Sequence, residues 1–302
     1  MAEPMMGGQA VLEGVMMRSP HFYGVAVRNE RGKIVTMTER LKARGPFARL
    51  PFIRGMVLLV DMMVIGIKAL SWSAQQAGEE EEQLSDAQVG ITVLVSLAIS
   101  LALFLALPYF LTVLLGISEE GAPLLFNLID GAIKVGLLIT YLWGISLMKE
   151  IHRVFQYHGA EHKVVFCYEN RKPLTVRNVR KFSRFHPRCG TSFILMTMLL
   201  GVLLFSLVPL IFGSLFPSYL SWSLVPRKIA LFLCRLLILP LIAAITYEGI
   251  RLSARHARNS LVRAIIAPGL WLQRITTKEP GAKQIEVGIK AMQIVLQKEK
   301  SM

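Results

Sequence analysis

Two long stretches without a charged residue most constrain the fold of this chain. The first covers residues 89–115. At about 1.5 Å per residue, a helix of this length exceeds the hydrocarbon thickness of a bilayer, which is about 30 Å. The second lies between Arg188 and Arg227, and it is long enough for one span, a loop and the approach to another span. The sequence therefore predicts a membrane protein with several transmembrane helices.

Composition agrees with this prediction. Of the 302 residues, 53% are hydrophobic and only 18% are charged, which is too apolar for an ordinary soluble domain. The formal net charge is +14. In a membrane protein, basic residues first report topology and contact with anionic lipid, so we expect no DNA partner. The three cysteines, Cys167, Cys189 and Cys234, make no disulfide framework and fit reduced thiols on a cytoplasmic face.

Hydropathy and charge together predict four transmembrane helices. Basic residues are concentrated in residues 150–188 and again after the last apolar stretch, whereas the two intervening loops carry no basic residue until Arg227. Because basic loops stay in the cytoplasm, both termini are predicted to be cytoplasmic and the number of spans to be even. The predicted spans are residues 89–115, 128–148, about 192–213 and about 229–247.

Charged residues inside the apolar segments are expected to pair, because a charge at the bilayer centre costs at least about 2.5 kcal/mol on insertion scales. Asp130 and Arg235 lie at similar depth in the second and fourth spans, so we predict a contact between them. Lys134, four residues after Asp130, is the competing partner. Residues 54–73 contain Asp61 and Lys68 and are predicted to form an interfacial or re-entrant helix, with a true span as the alternative.

The two ends of the chain are predicted to lie outside the bilayer. Residues 25–38 alternate apolar and polar side chains around a turn at 29–32, which is typical of a β-hairpin. Apolar residues at 285, 289, 292 and 296 predict an amphipathic helix over 277–300, capped at Thr277.

The predicted fold class is thus mainly α: a polytopic membrane protein with four transmembrane helices and a small cytosolic α+β cap. Its predicted parts are a cytosolic N-terminal β element (1–50), an interfacial or re-entrant helix with an acidic linker (51–88), transmembrane helices 1 and 2 (89–148), a cytosolic basic His/Cys-rich loop (149–190), transmembrane helices 3 and 4 (191–250) and a cytosolic amphipathic C-terminal segment (251–302).

The central loop contains a pattern that is typical of metal sites. His158, Glu161 and His162 spell H-x-x-E-H, the inverted form of a zinc-hydrolase motif. On a helix, the two histidines would project from one face and could bind one metal, while Glu161 could orient a water molecule as a general base. Gly159 weakens the helix prediction, since glycine costs about 1 kcal/mol relative to alanine inside a helix.

His186 and Cys189 supply two further candidate ligands, in a turn favoured by Pro187 and Gly190. Zinc accepts this mixture of nitrogen and sulfur donors at about 2.0 to 2.3 Å, and iron or nickel accept it as well. Three protein ligands plus water would make a catalytic site, and four would make a structural one. A second interpretation stays open, in which these side chains bind no metal and instead contact water, lipid headgroups or the helices.

Five motifs resemble a known family. They are GGQAVLEGVMMR near the N-terminus, YHGAEHK from Tyr157, FHPRCGTSF from Phe185, YEGIR from Tyr247 and ITTKEP from Ile275. Together they are similar to the YqhQ-like family of bacterial membrane proteins, a domain of unknown function labelled a predicted metal-dependent enzyme. The resemblance implies a multi-pass protein of the bacterial plasma membrane with a cytosolic site. It places in that site His158, Glu161, His162, His186, Cys189, Gln9, Glu13 and Arg18.

The N-terminal motif adds a candidate acid. If the β element folds over the His/Cys loop, Glu13 could be the missing acidic ligand or the proton acceptor, and Arg18 could bind an anionic group. In the alternative, Gln9 and Glu13 only join the two cytosolic segments by hydrogen bonds.

Two functions remain open from the sequence. The first is a metal-dependent hydrolase that acts near the membrane surface, with a divalent metal, expected to be zinc, and with Glu161 or Glu13 as the base. The second is a non-catalytic accessory factor of membrane-protein biogenesis or translocation. Such a factor would dock on an anionic partner such as a ribosome, a translocase or membrane lipid. Its predicted docking residues are Arg177, Arg180, Lys181 and Arg184.

Overall fold

A computed structural model describes residues 6–78, 86–119, 121–255 and 259–302. Within these ranges the chain is mainly helical, with one small antiparallel sheet near the N-terminus. The four consecutive glutamates of the predicted acidic linker, residues 79–82, lie outside the described residues. The mainly α class with a small sheet is therefore confirmed.

The sheet is a four-stranded meander in which each strand pairs with the next along the chain. The third and fourth strands pair from Phe22 with Arg40 to Arg28 with Ile34, so their turn is the one predicted from the alternating pattern. Gly32 in this turn has a φ of +74°, which glycine adopts without the steric cost of a Cβ atom. The strands are β1 (Gly7–Val11), β2 (Gly14–Arg18), β3 (Phe22–Arg28) and β4 (Ile34–Arg40).

In the described part of the chain, four helices are long and apolar enough to cross a membrane, as predicted. The first contains a π-helical segment, Ala102–Ala106, just before Pro108. Proline lacks an N–H group and clashes with the preceding turn, and a π-helical segment accommodates it without ending the helix. The helices are α2 (Asp86–Leu101) continued by α3 (Leu107–Leu114), α4 (Pro123–Ile145), α7 (Gly190–Leu215) and α8 (Leu224–Arg255).

Small residues bring these helices close together. A Cβ atom on Gly131 of α4 would lie 2.3 Å from Val202 of α7, so glycine permits this contact. Helix α9 (Ser260–Thr276) packs on α7 in the same way, with Gly269 against Ser192. The end of α9 is thereby held beside the start of α7, where Cys189 lies.

The sheet packs between two layers of helices. On one face, Val15, Met17 and Ala26 contact α5 (Lys149–Glu169) and α10 (Ala282–Lys300). On the other face, Met16 and Val25 contact α1 (Ile53–Ala77). The sheet together with α5, the short α6 (Val176–Val179) and α10 is called the cap below. Helix α10 begins at Ala282 and not at Thr277, because Thr277 has an extended backbone (φ −128°, ψ 141°) and ends α9.

Helix α1 is not among the four candidate spans. Its charged residue Asp61 pairs with Arg44, and Arg18 lies 3.6 Å away. Arg54 at its start donates to Glu248 of α8. The face away from the sheet is apolar and exposed, with Leu59, Met63 and Ile67 among its members. One face thus binds the sheet, and the opposite one is apolar and exposed among the described residues, a pattern that an interfacial helix would show.

The predicted pairing of Asp130 with Arg235 is corrected by the structure. Asp130 pairs with Lys134 of its own helix, because a partner four residues away requires no particular packing between helices. Arg235 instead lies 2.9 Å from Glu119, in the loop before α4, and donates to the Asn127 side chain at 3.1 Å.

Candidate metal centre

His158 and His162 lie one helical turn apart on α5, which runs without a break through Gly159. Their ring centroids are 4.5 Å apart. A Cβ atom at position 159 would lie 2.1 Å from the carbonyl oxygen of Lys278. Glycine therefore lets the α9–α10 linker, residues 277–281, pack directly on α5. Glycine has a low helix propensity, but only glycine allows this contact. The packing of the linker on α5 therefore offsets the low propensity of Gly159.

Cys189 completes a cluster of three candidate ligands. It immediately precedes α7, and its Sγ atom lies 3.3 Å from Nε2 of His158. One ligand atom from each of His158, His162 and Cys189 lies within 4.8 Å of the other two. Nitrogen and sulfur ligands of a tetrahedral zinc ion lie about 3.6 Å apart, given zinc distances of about 2.0 and 2.3 Å. The cluster therefore fits a single metal ion with small side-chain adjustments.

Two backbone carbonyls fix the orientation of the imidazoles. Nδ1–H of His158 donates to the carbonyl of Thr276 at 2.8 Å, and Nδ1–H of His162 donates to the carbonyl of Arg184 at 2.5 Å. With the proton on Nδ1, each Nε2 carries a lone pair for a metal. Histidines that bind metals usually donate their other N–H group in this way. The arrangement thus supports metal binding beyond what the residue types alone indicate.

The charges of the clustered side chains depend on one another. Burial alone would raise the pKa of the Cys189 thiol, but the imidazoles of His158 and His162 hold this pKa well below its usual value. Burial alone would lower the pKa of His162, but the Glu161 carboxylate and Cys189 outweigh burial and raise it to about 9. A protonated His162 or a divalent metal ion would each balance the negative charge of a Cys189 thiolate.

Glu161 lies beside the cluster and is only 5% exposed. Its Oε2 atom is 3.4 Å from Nε2 of His162, the one ion-pair partner that Glu161 has in the described part of the chain. A cavity of ≈50 Å³ separates these groups from β1, and Met6 and Gly8 form part of its wall. This volume has room for one or two water molecules. The N-terminal sheet thus covers the His/Cys cluster.

His186 lines the same cavity but is not one of the three clustered ligands. Its Nδ1 accepts a hydrogen bond from the backbone N–H of Arg188 at 3.2 Å, and its Nε2 lies 3.5 Å from Glu169. The side chain of Gln273 binds both the N–H and the carbonyl of His186 at 2.8 Å. Burial, followed by the charge of His162, lowers the pKa of His186 to about 4. In this structure His186 forms part of the cavity wall and lies outside the group of three clustered ligand atoms, so its role as a fourth ligand stays a prediction.

The N-terminal site candidates join the sheet to its neighbours. Glu13 accepts hydrogen bonds from Arg153 at 2.8 Å and from the Tyr157 hydroxyl at 3.3 Å. It does not line the cavity, so in this structure Glu13 lies apart from the clustered candidate ligands. Gln9 donates to the carbonyl of Gly66 on α1 at 3.3 Å. The contacts of Glu13 match the alternative in which the N-terminal motif is hydrogen-bonded to the His/Cys segment, whereas Gln9 binds α1.

The sequence analysis did not predict that residues at the end of α9 orient the clustered ligands. The Thr276 carbonyl holds His158, and the Thr276 hydroxyl lies 3.2 Å from that of Thr191, which is 3.1 Å from Cys189 Sγ. Lys163, only 4% exposed, donates to Glu279 of the linker at 2.5 Å. The available signal was the ITTKEP motif, in which polar residues separate two helices.

The predicted docking residues divide into two groups. Arg184 turns inward, where it donates to the carbonyl and the hydroxyl of Thr277. Arg177, Arg180 and Lys181 are exposed in and just after α6. Within the residues that the structure covers, these three side chains form no ion pair with a carboxylate.

Comparison with known proteins agrees with the resemblance seen in the motifs. The family model described as "Protein of unknown function (DUF1385)" matches residues 50–298, which include the whole His/Cys cluster. The protein named "Uncharacterized protein YqhQ" from Bacillus subtilis (strain 168) is 35% identical over 315 residues, which cover 98% of this chain and 93% of that protein. No solved structure matches this chain. By both measures, the chain belongs to the DUF1385 family of YqhQ-like proteins.

Proposed function

We propose that this chain is an integral protein of the bacterial plasma membrane that binds a divalent metal ion in its cytosolic cap and hydrolyses a substrate near the membrane surface. Insertion is supported by the four apolar helices, whose exposed side chains include Leu94, Leu210 and Leu237. Water would be an unfavourable surrounding for so large an apolar surface. The basic residues of the cap support a cytoplasmic location for both termini.

One observation carries the metal-binding part of this proposal. Two imidazoles, each with its Nδ1–H held by a backbone carbonyl, converge on a buried cysteine. His158, His162 and Cys189 would hold the ion, and zinc is the metal that best suits two nitrogen donors and one sulfur donor. Bound zinc would act as a Lewis acid and make water a better nucleophile at neutral pH.

The surrounding residues support a catalytic use of the site. Three protein ligands are the usual number in catalytic zinc sites, whereas structural sites have four. An ionised Glu161 only accepts hydrogen bonds, so it can take a proton from a water molecule in the cavity. Met6 and Gly8 form the wall of the cavity on the side of β1.

Substitution of Glu161 by glutamine tests the catalytic role. We expect Glu161→Gln to keep its zinc and to lose at least about 100-fold of its hydrolytic rate, because the amide cannot accept the proton. The rate is measured with p-nitrophenyl acetate and p-nitrophenyl phosphate on zinc-loaded protein in liposomes. Glu150→Gln, at an exposed position of α5, is the matched control. Unchanged hydrolysis in Glu161→Gln would exclude Glu161 as the base, and loss of zinc would make it a fourth ligand of a structural site.

A non-catalytic accessory role is the second candidate, and the exposed cations of α6 support it. Arg177, Arg180 and Lys181 point to solvent and could bind an anionic partner such as a ribosome, a translocase or lipid. We expect replacement of all three by glutamate to abolish partner recovery after crosslinking and to leave the zinc content unchanged. Recovery that is unaffected by this reversal, or by added salt, would remove this candidate.

A further inference from the structure

A second cavity, separate from the metal centre, lies where α4 ends, α5 begins and α9 ends. Its volume is ≈620 Å³, far larger than the cavity beside Glu161. Basic and apolar side chains line it together, and no carboxylate is among them. The lining residues used in the argument are Lys149, Arg274, Lys278, Trp143 and Leu147.

Within the described residues, the cations of this cavity have no carboxylate partner. Lys149, Arg274 and Lys278 come from three different segments, and in the described residues none of them forms an ion pair with a carboxylate. Three cations gathered in one cavity repel one another, so an anion bound there would stabilise them. Glu150 is the next residue to Lys149, but it does not line the cavity.

The position of Lys149 strengthens this argument. Lys149 is the first residue of α5, a 21-residue helix whose N-cap, Met148, supplies no side-chain hydrogen bond. A cation is unfavourable at a helix N-terminus, where the helix dipole and the free N–H groups attract anions. Arg274, in the last turn of α9, has a local explanation because it complements the C-terminal dipole of that helix. Lys149 fits the basic cytoplasmic side that the sequence predicts, but its charge at the start of α5 opposes the helix dipole, and a bound anion would remove this repulsion.

The cavity lies at the end of a helix that is long and apolar enough to cross a membrane. Trp143, in the last turn of α4, is 57% exposed, and Leu147 just beyond the helix is 67% exposed. Tryptophan is enriched where the hydrocarbon of a bilayer meets the headgroups. If α4 spans the membrane, as proposed above, the cations of this cavity lie at the level of the lipid phosphates and the apolar side chains lie at the level of the acyl chains.

We propose that this cavity binds the phosphodiester headgroup of an anionic phospholipid. Lys149, Arg274 and Lys278 neutralise the phosphate, and Trp143 and Leu147 contact the apolar part of the lipid. The proposal rests on the membrane insertion included in the proposed function. A soluble phosphate ester shares the recognised chemistry, and the test below separates the two sources.

Headgroup binding would also restrain the backbone that orients His158 in the metal centre. Lys278 lines the cavity, and its backbone N–H donates to the carbonyl of Phe155 on α5 at 2.8 Å. Two residues earlier, the carbonyl of Thr276 holds His158. A lipid bound to Lys278 and Arg274 therefore restrains the segment that orients a candidate metal ligand.

Lipid retention by the full-length protein tests the proposal. Protein purified in detergent is mixed with phosphatidylglycerol or phosphatidylcholine, and bound lipid is counted by native mass spectrometry. We expect selective retention of phosphatidylglycerol, and a loss of at least about tenfold in the variant Lys149→Gln/Arg274→Gln/Lys278→Gln, because each basic residue near anionic lipid contributes to its attraction. The matched control is Lys290→Gln/Lys298→Gln/Lys300→Gln, which removes the same charge from α10 and should retain the lipid.

Three results would overturn the inference. Equal retention by the cavity variant and wild type would exclude the site, and equal loss in the α10 control would show an effect of total charge only. If the protein bound inorganic phosphate added at millimolar concentration but did not retain phosphatidylglycerol selectively, the ligand of this cavity would be a soluble phosphate and not a lipid. Carbonate extraction of cell membranes separates this inference from the proposed function: release of the protein would contradict membrane insertion, whereas a retained protein that does not select phosphatidylglycerol would contradict the lipid site alone.

Discussion

The double variant His158→Ala/His162→Ala is expected to lose its metal completely, whereas wild-type protein should carry about one zinc ion per chain. The reason is geometric. The substitutions remove two of the three clustered ligand atoms, and Cys189 alone cannot hold zinc against dilution. Metal content is measured by elemental analysis on protein purified in detergent without chelators, so that a weakly held ion is not stripped.

The control for this experiment removes two histidines outside the cluster. His21 and His152 are exposed, and neither belongs to the group of candidate ligands. We expect His21→Ala/His152→Ala to keep the wild-type zinc content. Circular dichroism of all three proteins checks that the helices are retained. Wild-type protein free of metal, or a double variant that still binds one equivalent, would contradict the proposed metal centre and the hydrolytic function built on it.

Local patterns in the sequence were sufficient for much of this fold. The four apolar helices follow from hydropathy, and the turn between β3 and β4 follows from alternation around Gly32. The spacing of His158 and His162 placed both on one face of a helix, and the structure has them there. These features depend on residues that are close in sequence, so a pattern of 3.6 or 2 residues contains the needed information.

Contacts between distant residues were not available from such patterns. Similar depth of Asp130 and Arg235 gave no information on the rotation of either helix about its axis, and the ion pairs formed elsewhere. The orientation of His186 depends on Gln273, which is 87 residues away in the chain. For the same reason, Glu161 could be recognised as a neighbour of the cluster, whereas the pairing of Glu13 with Arg153 could not be predicted.

Gly159→Ala should disrupt the metal centre without changing any ligand. The new Cβ atom would lie 2.1 Å from the carbonyl oxygen of Lys278, well inside the normal contact distance. Because the obstacle is backbone, the α9–α10 linker must move away from α5. Overpacking of this kind costs roughly 1–3 kcal/mol. The carbonyl of Thr276, two residues before Lys278, would move with the linker and release Nδ1 of His158.

Loss of the group that orients a metal-binding histidine typically costs about 10- to 100-fold in metal affinity. We therefore expect Gly159→Ala to bind zinc at least about tenfold more weakly and to unfold at a lower temperature, measured by competition with a fluorescent chelator and by thermal denaturation in detergent. Gly136→Ala in α4 is the matched control, because no atom lies within 4 Å of its added Cβ atom and alanine favours a helix. If Gly159→Ala kept the wild-type zinc affinity, the linker would not be what orients His158. If it lost zinc affinity without losing stability, the close approach of Lys278 would serve the metal centre more than the fold.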